Sequence, residues 1–183
     1  MKKIFLLATV TFLQISISTA YAEFRQGAFT TSPLIGGYIF EGDQGLQQHN
    51  FTISAELGYT LTKHIGIEGT FNYIYSRSDS GEGTVNGYLY RVDGLYHFNP
   101  SGKLVPFLAA GFGGITLNPD HGESHTHAVF DYGAGVQYFV TENVALRGEV
   151  RHLLTLGEVE NNFMYMGGVT FYMGGEQTDS HGQ

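Results

Sequence analysis

Cysteine is absent from the 183-residue chain, so no disulfide can staple it and its stability must come from packing and backbone pairing. Charge is scarce too: Asp, Glu, Lys and Arg make up 14% of the residues, against about 25% in ordinary soluble domains. Lysine is rarer still, because beyond Lys2 and Lys3 only Lys63 and Lys103 remain, both in predicted turns. A barrel or globule facing water would lack its usual charged coat. Past the N-terminal segment, every apolar stretch is broken at each second or third residue by Gly, Ser, Thr or a charge. None approaches the roughly 20 apolar residues of a membrane-spanning helix. If this chain enters a bilayer, it does not do so as helices.

The chain starts with Lys2 and Lys3, runs through the apolar Ile4 to Ile17 and reaches Ala20-Tyr21-Ala22. A charged head, a short apolar run and a small-x-small site make a secretory signal peptide. Residues 1–22 are therefore expected to be removed, leaving 161 residues for one domain, a barrel over 23–175, and a polar tail over 176–183. Without Lys2 and Lys3 the basic residues fall from 9 to 7 against 17 acids, a formal charge of −10. That balance argues against nucleic acid as a partner.

What the chain does have is a period of two. In Ala128–Val140, Ala128, Phe130, Tyr132, Ala134, Val136, Tyr138 and Val140 take alternate positions, with Asp131, Gly133, Gly135 and Gln137 between them. After a Thr141-Glu142-Asn143 turn, Val144, Leu146, Val150, Leu154 and Leu156 form one face and Arg147, Glu149 and Arg151 the other. Alternate side chains of a strand point to opposite faces, so this hairpin has one greasy side and one charged side. Phe51, Ile53, Ala55, Leu57, Tyr59 and Leu61 repeat the pattern around Glu56, and Ile65, Ile67, Phe71, Tyr73 and Tyr75 repeat it around Glu68. In a further strand Tyr88, Tyr90, Val92, Tyr96 and Phe98 oppose Arg91, Asp93 and His97, although Leu89 and Leu95 interrupt the polar face. Pro33 and the Gly36-Gly37 pair leave the facing of the first strand open. In all, eight strands of about ten to thirteen residues are expected, close to the length that crosses a bilayer at a tilt. Long polar loops after strands one, three and five are expected to alternate with short turns.

The competing reading is a soluble eight-stranded barrel with its apolar side inward. Such a barrel has room only for filling side chains or one small ligand. The rings of Phe51, Tyr59, Phe71, Tyr73, Tyr75, Tyr88, Tyr90, Tyr96, Phe98, Phe130, Tyr132 and Tyr138 are too bulky for it. The rings therefore belong outside against acyl chains, and Glu56, Glu68, Arg91, Asp93, Asp131, Arg147, Glu149 and Arg151 inside, where opposite charges pair. The aromatics toward strand ends suit headgroup depth. The fold class expected is all-β: an eight-stranded antiparallel up-and-down transmembrane barrel, with an interior network that holds its strands in register. A narrow, weakly cation-preferring channel is the alternative.

The segments GAFTTSPLIGGYIFEGDQ, LGYTLTKHIGIEG, YRVDGLYHF, LVPFLAAGFGG, YGAGVQYFVTENVALRGEVRH and GVTFYMGG together resemble the short OmpA-like outer-membrane β-barrel proteins of Gram-negative bacteria. The resemblance implies a monomeric barrel in the outer membrane, acting as an anchor, a surface protein or a narrow channel. It implies contact with membrane lipid and lipopolysaccharide, and with the barrel-assembly machinery during insertion. Larger members carry a C-terminal domain that grips peptidoglycan; here EQTDSHGQ follows the last strand, so no peptidoglycan-binding domain is expected. In relatives an acid-base gate closes the lumen. Glu68 and Arg147 resemble two of its positions, whereas Gln137 stands where an acid, and Asp93 where a base, is expected. Gly168, Phe171 and Met173 partly match the terminal signal that assembly machinery reads.

The loop NPDHGESHTH gathers Asp120, His121, Glu123, His125 and His127, residue types competent for Zn²⁺, Ni²⁺ or Cu²⁺ in a spacing of no standard site. Solvated loop histidines are the simpler reading, and no cofactor is expected. Barrels that deacylate lipid A resemble one another in a His-x-Ser pair, and no histidine here has Ser two residues on. The expectation is a protein that is not an enzyme. The longer loops also suit adhesion or surface recognition.

Overall fold

The computed structural model describes residues 25–40, 49–77, 84–119, 125–156 and 160–176. The expected signal peptide, the polar loops 41–48, 78–83 and 157–159 and the tail beyond Glu176 lie outside the described residues. Eight strands follow in order: β1 (Gln26–Phe40), β2 (His49–Thr60), β3 (Ile65–Arg77), β4 (Thr84–His97), β5 (Leu104–Pro119), β6 (His125–Thr141), β7 (Val144–Leu156) and β8 (Glu160–Glu176). Each is antiparallel to the next, and β8 returns to pair with β1, closing the sheet. Closure leaves no edge with unpaired backbone groups, the condition for a sheet inside a bilayer.

Three tight connections define one rim. At residues 61–64 the Thr62 hydroxyl accepts hydrogen bonds from the backbone N–H of His64 and Ile65 at 3.2 and 3.0 Å. At residues 98–103 Asn99 takes a positive φ of 50°, which Asn tolerates better than most residues. The third is the Glu142-Asn143 turn. The 98–103 turn is as long as the 78–83 connection, so the expected alternation of long and short connections fails there.

The strands are longer than expected, from 12 residues in β2 to 17 in β6 and β8. The extra length comes largely from chain read as loop. Asn118-Pro119 prolongs β5 and His125–His127 prolongs β6, the ladder continuing to Leu117 opposite His125. Thr116 and Thr126 share a hydroxyl hydrogen bond of 2.9 Å across that extension.

Pro33 lies on the closing seam. The β1–β2 ladder runs through it opposite Ala55, while the β1–β8 register resumes only at Leu34 opposite Gly168 after Thr31 opposite Phe171. Proline has no N–H to donate, and Ser32 and Thr170 bridge the gap from inside by a hydroxyl hydrogen bond of 2.9 Å. A Cβ on Gly168 would fall 2.3 Å from the Pro33 carbonyl oxygen, so this approach of β8 to β1 requires glycine. The facing of β1 is thereby settled: Ala28, Thr30, Ser32, Leu34 and Tyr38 are buried, and Phe29 and Ile35 are exposed.

Among the described residues, thirty large hydrophobic side chains are exposed by 37% or more, with Leu57 at 69% and Phe112 at 71%. A continuous apolar wall of that extent is incompatible with a monomer in water and is what acyl chains require. Ten of the twelve rings assigned to the outer face are exposed, and Tyr73 and Tyr88 are half-buried against each other at 5.6 Å. Aromatics ring both ends, but Phe71, Tyr90 and Phe112 also fall mid-strand.

The interior is layered. Toward the ends of β1, β3, β5 and β7 lies an apolar layer that includes Leu34, Tyr38, Ile74, Leu89, Ile115, Val129, Leu153 and Met164. Toward the tight-turn rim lie Ala28, Val105, Phe139, Ala145 and Tyr172, with Leu95, Phe107 and Ala109 just above. Buried charge occupies the space between.

Candidate functional site

Barrel geometry brings the charges together from five strands. Arg147, Glu149 and Arg151 come from β7, Glu56 from β2, Glu68 from β3, Arg91 and Asp93 from β4 and Asp131 from β6. Their side chains are at most 4% exposed in the ion pairs they form.

Arg147 is the hub. Its guanidinium takes Glu68 in a bidentate pair, Nη1 to Oε2 at 2.7 Å and Nη2 to Oε1 at 2.9 Å. Nη2 and Nε also donate to Oε2 of Glu149 at 2.7 and 3.0 Å, and Nη1 lies 3.1 Å from Oε2 of Glu56. Planar forks matched to carboxylates are the strong form of this contact. The ring of Phe107 lies beneath, 4.9 Å from the guanidinium carbon, so one face of the cation rests on π density.

From Glu149 the chain of charges continues. Its Oε1 accepts from Nε of Arg151 at 3.3 Å. Oδ2 of Asp131 then accepts from Nη1 of Arg151 at 3.1 Å and Nη1 of Arg91 at 2.8 Å. Asp93 closes the row more loosely, 3.7 Å from Arg151 and 3.9 Å from Arg91, with the Thr70 hydroxyl donating to it at 3.2 Å. Five carboxylates against three guanidiniums leave a formal charge of −2.

Interior glycines make this packing possible. A Cβ on Gly133 would fall 2.6 Å from Cδ of Arg151, one on Gly135 2.3 Å from Cζ of Phe107, and one on Gly111 2.1 Å from Oδ1 of Asp93. Each marks where a large side chain lies across bare backbone. Gln137, the position that resembles an acid of the family's gate, accepts a hydrogen bond from the Tyr172 hydroxyl. Glu68 and Arg147, the other resembling pair, are in direct contact.

The remaining candidates lie elsewhere. Asp120, His121 and Glu123 fall outside the described residues, and of His125 only the backbone is described. His127, read as a loop residue, is instead half-buried on β6 with its backbone opposite Ile115, because the β5–β6 hairpin extends past it. Among the described residues no group of three or more His, Asp or Glu is placed to hold a metal ion. Gly168 faces the bore at the seam, while Phe171 and Met173 are exposed on the outer wall.

Sequence reasoning missed the two apolar layers. Leu89 and Leu95, which interrupt the polar face of β4, were the available signal: one belongs to each layer.

A closed antiparallel barrel with an acyl-facing wall and a charged bore defines the class of integral outer-membrane β-barrels. The chain matches the family model for the outer membrane protein beta-barrel domain over residues 5–173, and it belongs to that family. It is 24% identical over 172 residues to outer membrane protein Omp38 of Acinetobacter baumannii, which covers 80% of this chain and 48% of that protein. To outer membrane protein X of Enterobacter cloacae it is 29% identical over 154 residues, 80% of this chain and 86% of the other. It thus spans about half the length of Omp38 but most of protein X. The crystal structure of Neisserial surface protein A superposes with a TM-score of 0.69 at 18% identity, over 80% of this chain and 99% of that one. At that identity the likeness is one of fold.

Proposed function

We infer that this is a closed outer-membrane barrel with a structural or surface-presenting role: it anchors its loops at the cell surface and does not conduct. The tight turns then face the periplasm. The observation that carries this is the filling of the bore, where apolar side chains from Leu34 to Met164 lie on one side of the charges and Ala28 to Tyr172, packed with the buried Thr60, His97 and Gln137, on the other. An ion crossing would have to shed water at the apolar layer, which acts as a barrier by dewetting, and displace packed side chains at the other end. The eight charged residues serve as an internal tie between β2, β3, β4, β6 and β7, because ionised groups out of water must be paired. The protein acts as a monomer in contact with lipid and lipopolysaccharide, and assembly machinery reads Gly168, Phe171 and Met173 on the last strand.

Single-channel recording in planar bilayers tests this reading. The purified barrel is expected to give a flat trace at neutral pH. Discrete, cation-preferring openings would overturn closure and establish the porin-like alternative.

A further inference from the structure

We propose that a groove on the outer wall seats one acyl chain of an anionic phospholipid from the leaflet at the tight-turn rim, with the phosphate held against Lys63, His64 and Lys103. The groove crosses β4, β5 and β6. Its floor is Gly94, Ala110 and Ala134, and its walls are Tyr96 and Leu108 on one side and Tyr132 on the other, around an open depression of about 720 Å³.

The floor is open because the residues are small, not because the backbone parts. Gly94 is directly paired with Ala110, and Ala110 with Tyr132. A Cβ on Gly94 would come no nearer than 3.9 Å to the Ala110 carbonyl oxygen. A depression in an acyl-facing wall must be filled, and a flexible hydrocarbon chain can follow it between the two tyrosines.

Charge at the foot of the groove selects the occupant. Ile65, in the groove lining, directly follows the β2–β3 turn that carries Lys63 and His64. His64 is exposed, donates from Nδ1 to the His97 carbonyl oxygen at 2.9 Å and stacks on Tyr96 at 5.8 Å. Lys103, exposed on the neighbouring β4–β5 turn, precedes Leu104 on the adjoining strand. Among the described residues the same rim also carries Glu142 on the β6–β7 turn and Glu176 at the end of β8, so the foot is basic through the grouping of Lys63, His64 and Lys103 on two neighbouring turns. Basic side chains at an interface bind the phosphate plane of anionic lipid.

The inference rests on the membrane placement argued above, and native mass spectrometry separates the two. The full chain is inserted in nanodiscs of equal phosphatidylglycerol and phosphatidylcholine, released into mild detergent and weighed. One retained lipid per barrel is expected, with phosphatidylglycerol favoured by about fivefold, the order that two ion pairs at a protein surface supply. Gly94→Leu and Ala110→Phe fill the groove and are expected to abolish retention while the unboiled protein still migrates as a folded barrel. Lys63→Gln with Lys103→Gln is expected to keep the lipid and erase the headgroup preference. Undiminished retention in both filled-groove variants, equal retention of the two lipids by the unsubstituted chain, or a dimer mass showing the groove covered by a second copy would each overturn the proposal. A folded barrel that carries no lipid sinks this inference alone. A chain that will not enter nanodiscs sinks the membrane placement with it.

Discussion

Arg147 and Arg91 are both buried guanidiniums inside the same bore, yet they are held in opposite ways. Arg147 meets Glu68, Glu149 and Glu56 between 2.7 and 3.1 Å and rests on the Phe107 ring. Arg91 meets Asp131 at 2.8 Å, but its next carboxylate, Asp93, is 3.9 Å away. Among the described residues, Nε and Nη2 of Arg91, Nη2 of Arg151 and Oδ1 of Asp93 and Asp131 find no hydrogen-bond partner, against Oε2 of Glu56 alone among the groups around Arg147. The difference follows from placement. Glu149 stands two residues from Arg147 on the same face of β7, and Glu56 and Glu68 approach from neighbouring strands across the bore. Asp93 and Arg91 share that spacing on β4, but Asp131 draws Arg91 away toward β6. The region around Arg147 therefore holds the strands together although three carboxylates share its one guanidinium, whereas the region around Asp93 sets two carboxylates against Arg91 and Arg151 but leaves polar atoms unmet at some cost.

Removing the hub should do the most damage. Arg147→Met leaves Glu56, Glu68 and Glu149 facing one another, and losing one partner of a buried charge group costs about 3–5 kcal/mol. In urea titrations followed by the mobility of unboiled protein on a detergent gel, the unfolding midpoint should fall sharply. Adding Glu68→Gln and Glu149→Gln should recover most of the loss, because the damage is unpaired charge. If the triple variant is no better than the single one, lost packing against Phe107 is the cause instead, and the contrast with Arg91 loses its electrostatic basis.

A smaller loss is expected for Asp131→Asn. Oδ2 of Asp131 joins Arg91 and Arg151, so the change weakens two charge-assisted hydrogen bonds while keeping the side chain's shape. Hydrogen bonds to charged groups contribute about 1.5–3 kcal/mol each, but both arginines keep other carboxylates in reach. The midpoint in the same titration should lie between those of Arg147→Met and the unsubstituted barrel.

How much of this was legible in the sequence depends on which physical rule governs each residue. Alternation along a strand is local, so the outer rings and the inward Arg147, Glu149 and Arg151 could be read from spacing alone. Which acid meets which base could not, because Glu68 reaches Arg147 across 79 residues of chain and only the tilt and diameter of the closed barrel bring them together. The apolar layers were hidden for another reason. Leu34, Ile74, Leu153 and Met164 sit on the inner face, where the polar pattern of the mid-strand positions does not extend. Gly133 and Gly135 read as weak strand residues, and their purpose shows only when Arg151 and Phe107 are seen lying across them.

Asp93→Asn should change stability least and is the sharpest check on the contrast. Its two ionic contacts are long, at 3.7 and 3.9 Å, and its closest partner is the Thr70 hydroxyl at 3.2 Å, which an amide oxygen can also accept. The amide has the shape of the carboxylate, so it clears Gly111, where a Cβ would already touch Oδ1 at 2.1 Å. Removing one negative charge takes the bore from a formal −2 to −1 and relieves repulsion with Asp131. The balance of weak attraction lost and repulsion relieved predicts a change of about 0–1 kcal/mol, toward higher stability. The same urea titration checks it: a midpoint at or slightly above that of the unsubstituted barrel is expected. A fall as deep as that of Asp131→Asn would mean that Asp93 holds Arg91 and Arg151 as firmly as Asp131 does. The two ends of the network would then be equivalent despite their distances.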